Sequence, residues 1–265
     1  MSKIMDAVRS FLSDGKRDGD GKRLFNSAVI LAAGTGSRFD GERKKQFVQI
    51  EGVPVVVRTA RIFNDCDFIS EIVVVTTANE VDGCRQLLSD GGIHKVTAVV
   101  AGGSTRQQSA KIGFDHVNPK CDFVAIHDAA RCLVTEEMIR GTFDAATRYG
   151  ASAAAEKVVD TVKRADVNGM VTETLDRREI WLAKTPQTFK ADVYRAASYM
   201  AVKDGFEGTD DVSLAEHLGF KVKLVDCGTE NMKLTYPEDE IRVRQILEWR
   251  ALAAEAALEK GEVEA

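Results

Sequence analysis

The 265-residue chain has no Cys-x-x-Cys pair, and its five cysteines (Cys66, Cys84, Cys121, Cys132, Cys227) are scattered and odd in number. That argues against a disulfide framework and for a reducing, cytoplasmic setting. Histidine is scarce. The four residues form no His-Glu-x-x-His and no Cys/His cluster, so no dedicated zinc site is expected. No apolar run approaches the ~18 residues of a membrane-spanning helix. Residues 1–26 carry Lys and Arg but no continuous apolar stretch, so they do not read as a secretory signal. A basic surplus is also missing. Lys plus Arg is 36 against 41 Asp plus Glu, a net charge of −5. This disfavours nucleic-acid binding by bulk charge and leaves room for a local basic pocket. What is present, 44% apolar and 29% charged residues, is ordinary globular composition.

The chain divides near residue 26. Residues 1–26 contain a polar, Gly-rich stretch, Asp14 to Arg23, and predict a flexible extension. From Ser27 apolar strand-like runs (Ala28–Leu31, Glu71–Thr76, Val96–Val100, Asp122–Ile126) alternate with helix-like stretches (Val55–Phe63, Glu80–Ser89, Thr105–Val117, Glu136–Tyr149). Alternation at this spacing predicts βαβ units with right-handed crossovers. The expected fold is a single α/β Rossmann-like domain over 27–260, a mostly parallel twisted sheet with helices on both faces. Val158–Arg164 and Met170–Leu175 flank Asn168-Gly169, two residues that tolerate positive φ, and predict a protruding antiparallel hairpin arm at about 158–178. Helices at Lys190–Lys203 and Asp210–Leu218, a strand at Lys221–Val225 and a long helix at Glu238–Glu259 complete the expectation.

Leu31-Ala32-Ala33-Gly34-Thr35-Gly36-Ser37-Arg38 follows the first strand. Glycines at a strand exit expose backbone N–H groups that can line a phosphate-sized concavity. By itself Gly-x-Gly is equally a plain strand-to-helix turn. Arg38 and the following Lys44-Lys45-Gln46 add cations suited to phosphate. A dinucleotide fingerprint would need glycine at position 39, which is Phe39, and a P-loop would need Lys-Ser/Thr after Gly41, where Glu42-Arg43 stand. The loop is thus an anion cradle of another kind, and a nicotinamide oxidoreductase is disfavoured.

Leu31–Arg38 with Lys45-Gln46 resembles the signature of nucleotidyltransferases that act on sugar-nucleotide-type substrates. Ala101–Ser109 resembles a Gly-Gly-x-x-Arg-x-x-Ser base-binding turn. Together with Ile126–Arg131 (His-Asp-Ala-Ala-Arg), Asp160–Lys163, Asp176-Arg177, Thr185–Phe189, Thr209–Asp211 and Asn231–Thr235, they resemble, in order, the 2-C-methyl-D-erythritol 4-phosphate cytidylyltransferase family over about Ser27 to Trp249. The related ribitol 5-phosphate cytidylyltransferases, the nearest alternative, usually carry Ser-Val where this chain has Ala129-Ala130. A non-catalytic nucleotide-binding paralogue is a further, distant alternative.

The resemblance implies transfer of CMP from CTP to 2-C-methyl-D-erythritol 4-phosphate, with release of pyrophosphate, in non-mevalonate isoprenoid-precursor synthesis. It implies that Arg38 and Lys45 stabilise charge at the α-phosphate. Lys44 stands where the family has proline, and Lys45 is taken as the inward lysine because Gln46 follows it. It implies CTP contacts from Ala32, Ala33, Gly34, Gly36, Gly102, Gly103, Ser109, Asp128 and Arg131. Read without the resemblance, the Gly102–Ser109 stretch is equally a strand-to-helix turn with Ser104 as the helix cap. Asp128, at a strand's carboxyl end, is the implied ligand of Mg²⁺ or another divalent cation, Asp210 being a weaker metal candidate. Thr161, Arg177, Thr209, Asp210 and Lys233 are the implied acceptor site, Arg177 and Lys233 being catalytic residues as well, with Thr161 and Arg177 supplied in trans by a homodimer partner through the arm. Strand alternation would admit only one of Arg177 and Arg178 to the pocket. His127 reads as a packing or hydrogen-bonding residue. Cys132 replaces a customary proline and reads as a small buried residue. No nucleic acid or membrane partner is implied.

Overall fold

Ala28-Val29-Ile30-Leu31 carries no polar side chain and can be covered on both faces. In the computed structural model, which describes residues 24–34, 39 and 44–263, it forms an inner strand of a seven-stranded sheet. In chain order the elements are β1 (Asn26–Leu31), the short hairpin β2 (Gln49–Ile50) and β3 (Val53–Pro54), α1 (Val55–Asp65), β4 (Glu71–Thr76), α2 (Val81–Asp90), β5 (Val96–Ala101), α3 (Arg106–Asp115), β6 (Phe123–Asp128) and α4 (Glu136–Tyr149). They continue as β7 (Ala151–Lys157), β8 (Lys163–Ala165), β9 (Val171–Thr174), β10 (Trp181–Lys190), α5 (Ala191–Asp204), α6 (Val212–His217), β11 (Lys223–Asp226) and α7 (Asp239–Val263). The sheet order is β11-β7-β10-β6-β1-β4-β5. Its paired strands are parallel except around β10, which runs antiparallel to both β6 and β7.

The two faces are separately packed. Ala28, Ile30, Ile72 and Val74 pack with residues of α1, α2 and α4, including Phe63, Leu88 and Phe143. Val29, Leu31, Val73 and Val75 pack with residues of α3, α5 and α6, including Phe114, Tyr194 and Leu214. Each fully buried large side chain contributes about 1.5–3 kcal/mol. Helix α1 shows how packing overrides local preference. It opens on Val55-Val56-Val57, β-branched residues with modest helix propensity, yet all three are buried, Val56 and Val57 against the sheet. Gly113 lets α3 lie directly on the sheet, because a Cβ there would run into Val29 and Val75. The first turn of α3 is thereby brought beside the carboxyl ends of β1 and β4. A third cluster, including Phe39, Ile50, Val55, Leu133, Leu234 and Val243, anchors the β2–β3 hairpin and α7 behind those ends.

Several details differ from the sequence reading. β1 starts at Asn26, already buried, so the sheet reaches into the predicted extension; residues 1–23 of that extension lie outside the described residues. Strands β7 and β10 were not anticipated. β7 is rich in alanine, a helix former, and becomes a strand because it is buried between β10 and β11. β10 contains Pro186, and its register with β7 shifts between Ala183 and Gln187, which hides the alternation. The arm exists as β8 paired with β9, shorter than expected and exposed along its length. Of its turn residues only Gly169 has positive φ, +81°. Asn168 does not need it, because Asp166 accepts the N–H groups of Asn168 and Met170 through its carboxylate. Arg177 and Arg178 lie in a 3-10 turn, Arg177–Glu179, so strand alternation does not sort them.

Candidate active site

The carboxyl ends of β1, β4 and β6 meet in register, Leu31 opposite both Val75 and Asp128, and open onto a cavity of about 330 Å³. Ala32, Ala33, Gly34, Lys45 and Gln46 form one wall; Gly103, Arg106 and Ser109 form a second; Asp128 and Lys233 close the third. This is the position where open α/β sheets bind ligands.

The first wall is held from behind. The buried Gln46 amide donates to the carbonyls of Ala32 (2.7 Å) and Gly34 (3.2 Å). The adjacent lysines diverge: Lys45 lines the cavity, while Lys44 Nζ donates to Thr77 and pairs with Glu80 at 2.8 Å. Gly36 and Arg38 lie outside the described residues.

The second wall is the start of α3. Its cap is Thr105, whose hydroxyl accepts the Gln108 N–H, and not Ser104 as expected. The Ser109 hydroxyl donates to Thr105 O (2.9 Å) and accepts the Gly103 N–H (3.2 Å), so part of its role is to shape the turn. Gly102 stands just behind this wall, its N–H donated to Thr76 O. A Cβ at Gly102 would lie 2.6 Å from Ser109 Oγ and 2.8 Å from Ala33 Cβ, so only glycine fits between the two loops.

Asp128 is the electrostatic centre. Its side chain is nearly buried, with Arg106 Nε 3.1 Å from one oxygen and Lys233 Nζ 2.7 Å from the other. Arg131 Nε is 3.9 Å away. Burial alone would raise its pKa, but the charges of Arg106, Lys233 and Arg131 outweigh burial and hold it far below the usual carboxylate range. Lys233 reaches this spot because its strap is pinned on both sides. Asn231 donates to Thr185 O (2.9 Å), Arg131 donates to Asn231 O (2.8 Å), and the Leu234 N–H bonds Ala130 O (2.8 Å).

His127, fully buried, is structural. Thr185 Oγ1 accepts the Asp128 N–H and lies 3.1 Å from His127 Nδ1, while His127 Nε2 lies 3.3 Å from Arg131 O. A hydroxyl that accepts from Asp128 has its proton for Nδ1, so the consistent tautomer is neutral with Nε2–H donating. Burial lowers its pKa from 6.5 to about 3. The unfolded chain then binds more protons than the native one between those values, so stability rises with pH from about 3 to 6.5 and is lost as pH falls through that window. His127→Gln should flatten this acid limb in urea midpoints measured from pH 4 to 7, and a limb of unchanged slope would contradict the assignment. Cys132 is buried beside these groups and its thiol is pushed up to about 11 by burial, which makes it a packing residue and an unreactive one.

Comparison with known proteins decides the relationship. The family model described as 2-C-methyl-D-erythritol 4-phosphate cytidylyltransferase matches residues 27–249. The chain belongs to that family. The family's protein of that name from Caldanaerobacter subterraneus subsp. tengcongensis is 41% identical over 214 residues, which are 80% of this chain and 94% of the relative. That from Symbiobacterium thermophilum is 41% identical over 83% of this chain and 92% of its own. The crystal structure of 4-diphosphocytidyl-2C-methyl-D-erythritol synthase from Anaerococcus prevotii superposes with a TM-score of 0.75 at 29% identity, over 85% of this chain and 99% of that one.

In this family member the cleft gathers Ala32, Ala33, Gly34, Lys45, Gly103, Ser109, Asp128 and Lys233 from the residues picked out by sequence, with Gly102 and Arg131 directly behind them. Thr161 and Arg177 are not in the cleft of their own chain. They are exposed at the base of the arm, where Arg177 donates to Val159 O. Thr209 is exposed and Asp210 is held by Gln187 on a neighbouring loop. Arg106, Asp211 and Gln187 stand inside the motifs quoted from the sequence but were given no role there, and Gln46 served only to mark the inward lysine. Arg106 lies inside the Gly102–Ser109 stretch, but its carboxylate partners are 22 and 105 residues away, and nothing local marks them.

Proposed function

We propose that this cleft joins CTP to 2-C-methyl-D-erythritol 4-phosphate by attack of the acceptor phosphate on the α-phosphorus, with pyrophosphate leaving. The single observation that carries the reading is the convergence of Lys45, Lys233 and Arg106 on one cavity at the end of a Gly-rich strand exit. A phosphate monoester, with a second pKa near 6, is already an anionic nucleophile at neutral pH. No general base is needed, which fits a cleft whose histidine is buried and neutral. The obstacle is repulsion between two polyanions, and placed cations offset it.

Lys45 holds the α-phosphate from the first wall, and the family resemblance gives Arg38 the same charge-stabilising role. Gly34 and Gly36 allow the backbone to approach the triphosphate. Gly103 and Ser109 face the base, and the carbonyls of this turn suit the exocyclic amine of cytosine. Lys233 serves the acceptor phosphate, and Asp128 keeps it in place until phosphates arrive to replace the carboxylate. Arg131 fixes the strap that carries Lys233.

Mg²⁺ is part of the proposal. Among the described residues no group of three His, Cys, Asp or Glu side chains could hold a metal unaided. Asp128 offers one ionised carboxylate at a phosphate-sized cavity, a donor set that fits a magnesium ion arriving on a nucleotide. When bound, the ion would draw charge from the triphosphate and the leaving pyrophosphate. The functional unit is a homodimer in which Thr161 and Arg177 of each arm complete the partner's acceptor site. A two-stranded arm without a core of its own is stable only against something, and Val159, Val167, Met170 and Val171 are exposed along it. Five buried, unpaired thiols support a reducing, cytoplasmic setting, and no helix among the described residues is long and apolar enough to cross a membrane.

The test is pyrophosphate release with CTP and Mg²⁺, supplying 2-C-methyl-D-erythritol 4-phosphate or ribitol 5-phosphate. Turnover with the former and little with the latter is expected; preference for ribitol 5-phosphate, or CTP binding without release, would sink the reading. Arg177→Ala should raise the KM for the acceptor about tenfold or more with the KM for CTP nearly unchanged, as loss of a charged contact of about 1.5–3 kcal/mol implies. An unmoved acceptor KM, or a fully active monomer in light scattering, would show that the arm has no such role.

A further inference from the structure

Arg106 is the first residue of α3, and its guanidinium is shared between two carboxylates. Nε lies 3.1 Å from Asp128 at the cavity floor, and a terminal nitrogen lies 2.6 Å from Asp211. Asp211 is buried, at 1% exposure, and also accepts from the Tyr194 hydroxyl at 3.3 Å. A buried carboxylate without a cation is strongly unfavourable, so Asp211 and its loop are bound to wherever Arg106 points.

Two neutral side chains hold the same segment. Gln107 accepts the Gly208 N–H at 2.9 Å and donates to Phe206 O at 3.1 Å. From β10, Gln187 accepts the N–H groups of Asp211 and Val212 at 2.8 and 3.0 Å and donates to Asp210 at 2.8 Å. The segment Phe206–Val212, which carries Thr209 and Asp210, is thus stitched by Arg106 and Gln107 to the helix whose first turn forms the nucleotide wall, and by Gln187 to β10. A planar guanidinium can hold two carboxylates at a fixed angle, whereas an ammonium is a point charge on a flexible stem.

We propose that Arg106 is a positioning residue: by bridging Asp128 and Asp211 it sets the distance and angle between the nucleotide wall and the acceptor loop Gly208–Asp211. The inference rests on the CMP-transfer reading and deepens it. In-line attack is sensitive to small errors in placement, so the bridge matters for acceptor engagement and turnover more than for nucleotide affinity.

The test uses the full-length enzyme with both substrates varied, together with amide hydrogen exchange of residues 206–212. Asp211→Asn keeps the side-chain shape and removes one end of the charge bridge. Gln107→Ala releases Gly208 and Phe206 and leaves every charge in place. Both are expected to raise the acceptor KM about five- to tenfold, hold the CTP KM within about twofold, and speed exchange in 206–212. Arg106→Lys is expected to lower kcat about 100-fold, and adding Asp211→Asn to it should change the acceptor KM little further, because the link is already broken. Equal rises in both Michaelis constants, or an acceptor KM unmoved in Gln107→Ala despite faster loop exchange, would overturn the proposal. Wild-type enzyme that fails to release pyrophosphate with CTP and the methylerythritol phosphate would overturn the functional reading instead, while the exchange measurement would still report whether the bridge holds the loop.

Discussion

Asp128→Ala is expected to abolish measurable CMP transfer and to lower the melting temperature by about 5 °C. The substitution removes the carboxylate paired with Lys233 at 2.7 Å, leaves Arg106, 3.1 Å away, with Asp211 alone, and takes the charge from Arg131 beyond them. Lys233 and Arg106 are about a third exposed, so water screens the charges left behind and the cost is that of lost charged hydrogen bonds, about 1.5–3 kcal/mol; for a chain of this length each kcal/mol is worth about 2–4 °C. The pH dependence follows from the same contacts. Burial raises the Asp128 pKa and the three cations lower it more, so its folded value lies below the unfolded one. Its contribution is therefore complete above about pH 4 and fades as the pH falls below that. Asp128→Asn, which keeps the shape, should show the same loss of turnover with a smaller stability loss, and should lack this acid-sensitive component. Differential scanning calorimetry at pH 3–7 beside the pyrophosphate assay checks both. A wild-type melting temperature in the alanine variant would mean that the three cations do not depend on this carboxylate.

Lys45→Ala is expected to lower kcat by about 10²- to 10³-fold while changing the KM for CTP by less than about tenfold, since a cation at the reacting phosphate acts mainly where charge builds up. Lys44→Ala provides the contrast. Its ammonium is committed to Thr77 and Glu80 at the surface, a pair worth at most about 1 kcal/mol, and turnover should stay within about twofold. Steady-state kinetics on the two single variants distinguish these neighbours. Comparable losses in both, or equal losses of binding and turnover in Lys45→Ala, would remove Lys45 from its assigned role.

That distinction shows how far local pattern carries. The pair Lys44-Lys45 is visible in the chain, and Gln46 after it indicates which lysine turns inward. The reason is tertiary: the buried Gln46 amide binds two carbonyls of the preceding loop, and this register leaves Lys45 on the cavity and Lys44 on Glu80. Asp128 was legible as a carboxylate at the end of an apolar strand. Arg131 and Lys233 were picked out as site residues, but the convergence of both and of Arg106 on this carboxylate was not legible, because they come from the turn after β6, from the strap before α7 and from α3.

Most of the doubly wound half was readable because β1, β4 and β6 are continuous apolar runs, and because α4 carries its own boundaries: a Thr135 hydroxyl that accepts from Met138 at its start and Gly150 at φ +86° at its end. β7 and β10 were not. An alanine-rich segment and a proline-containing one have no strand period of their own, and they pair because the edge of β6 and the helices above and below leave that position for them. The arm was legible from Asp166 to Gly169, since a turn is a short-range object.

The residues alone determined the kind of chemistry: short glycine-bearing exits, cations at regular distances from them, and a single well-placed carboxylate, all expressed within a few positions of one another and so governed by local backbone geometry. Only the folded chain decided the wiring, in which one guanidinium at the start of α3 serves two carboxylates far apart along the sequence. Long-range ion pairs have no period and no spacing rule; they arise where burial leaves a charge no partner but the one the packing brings to it.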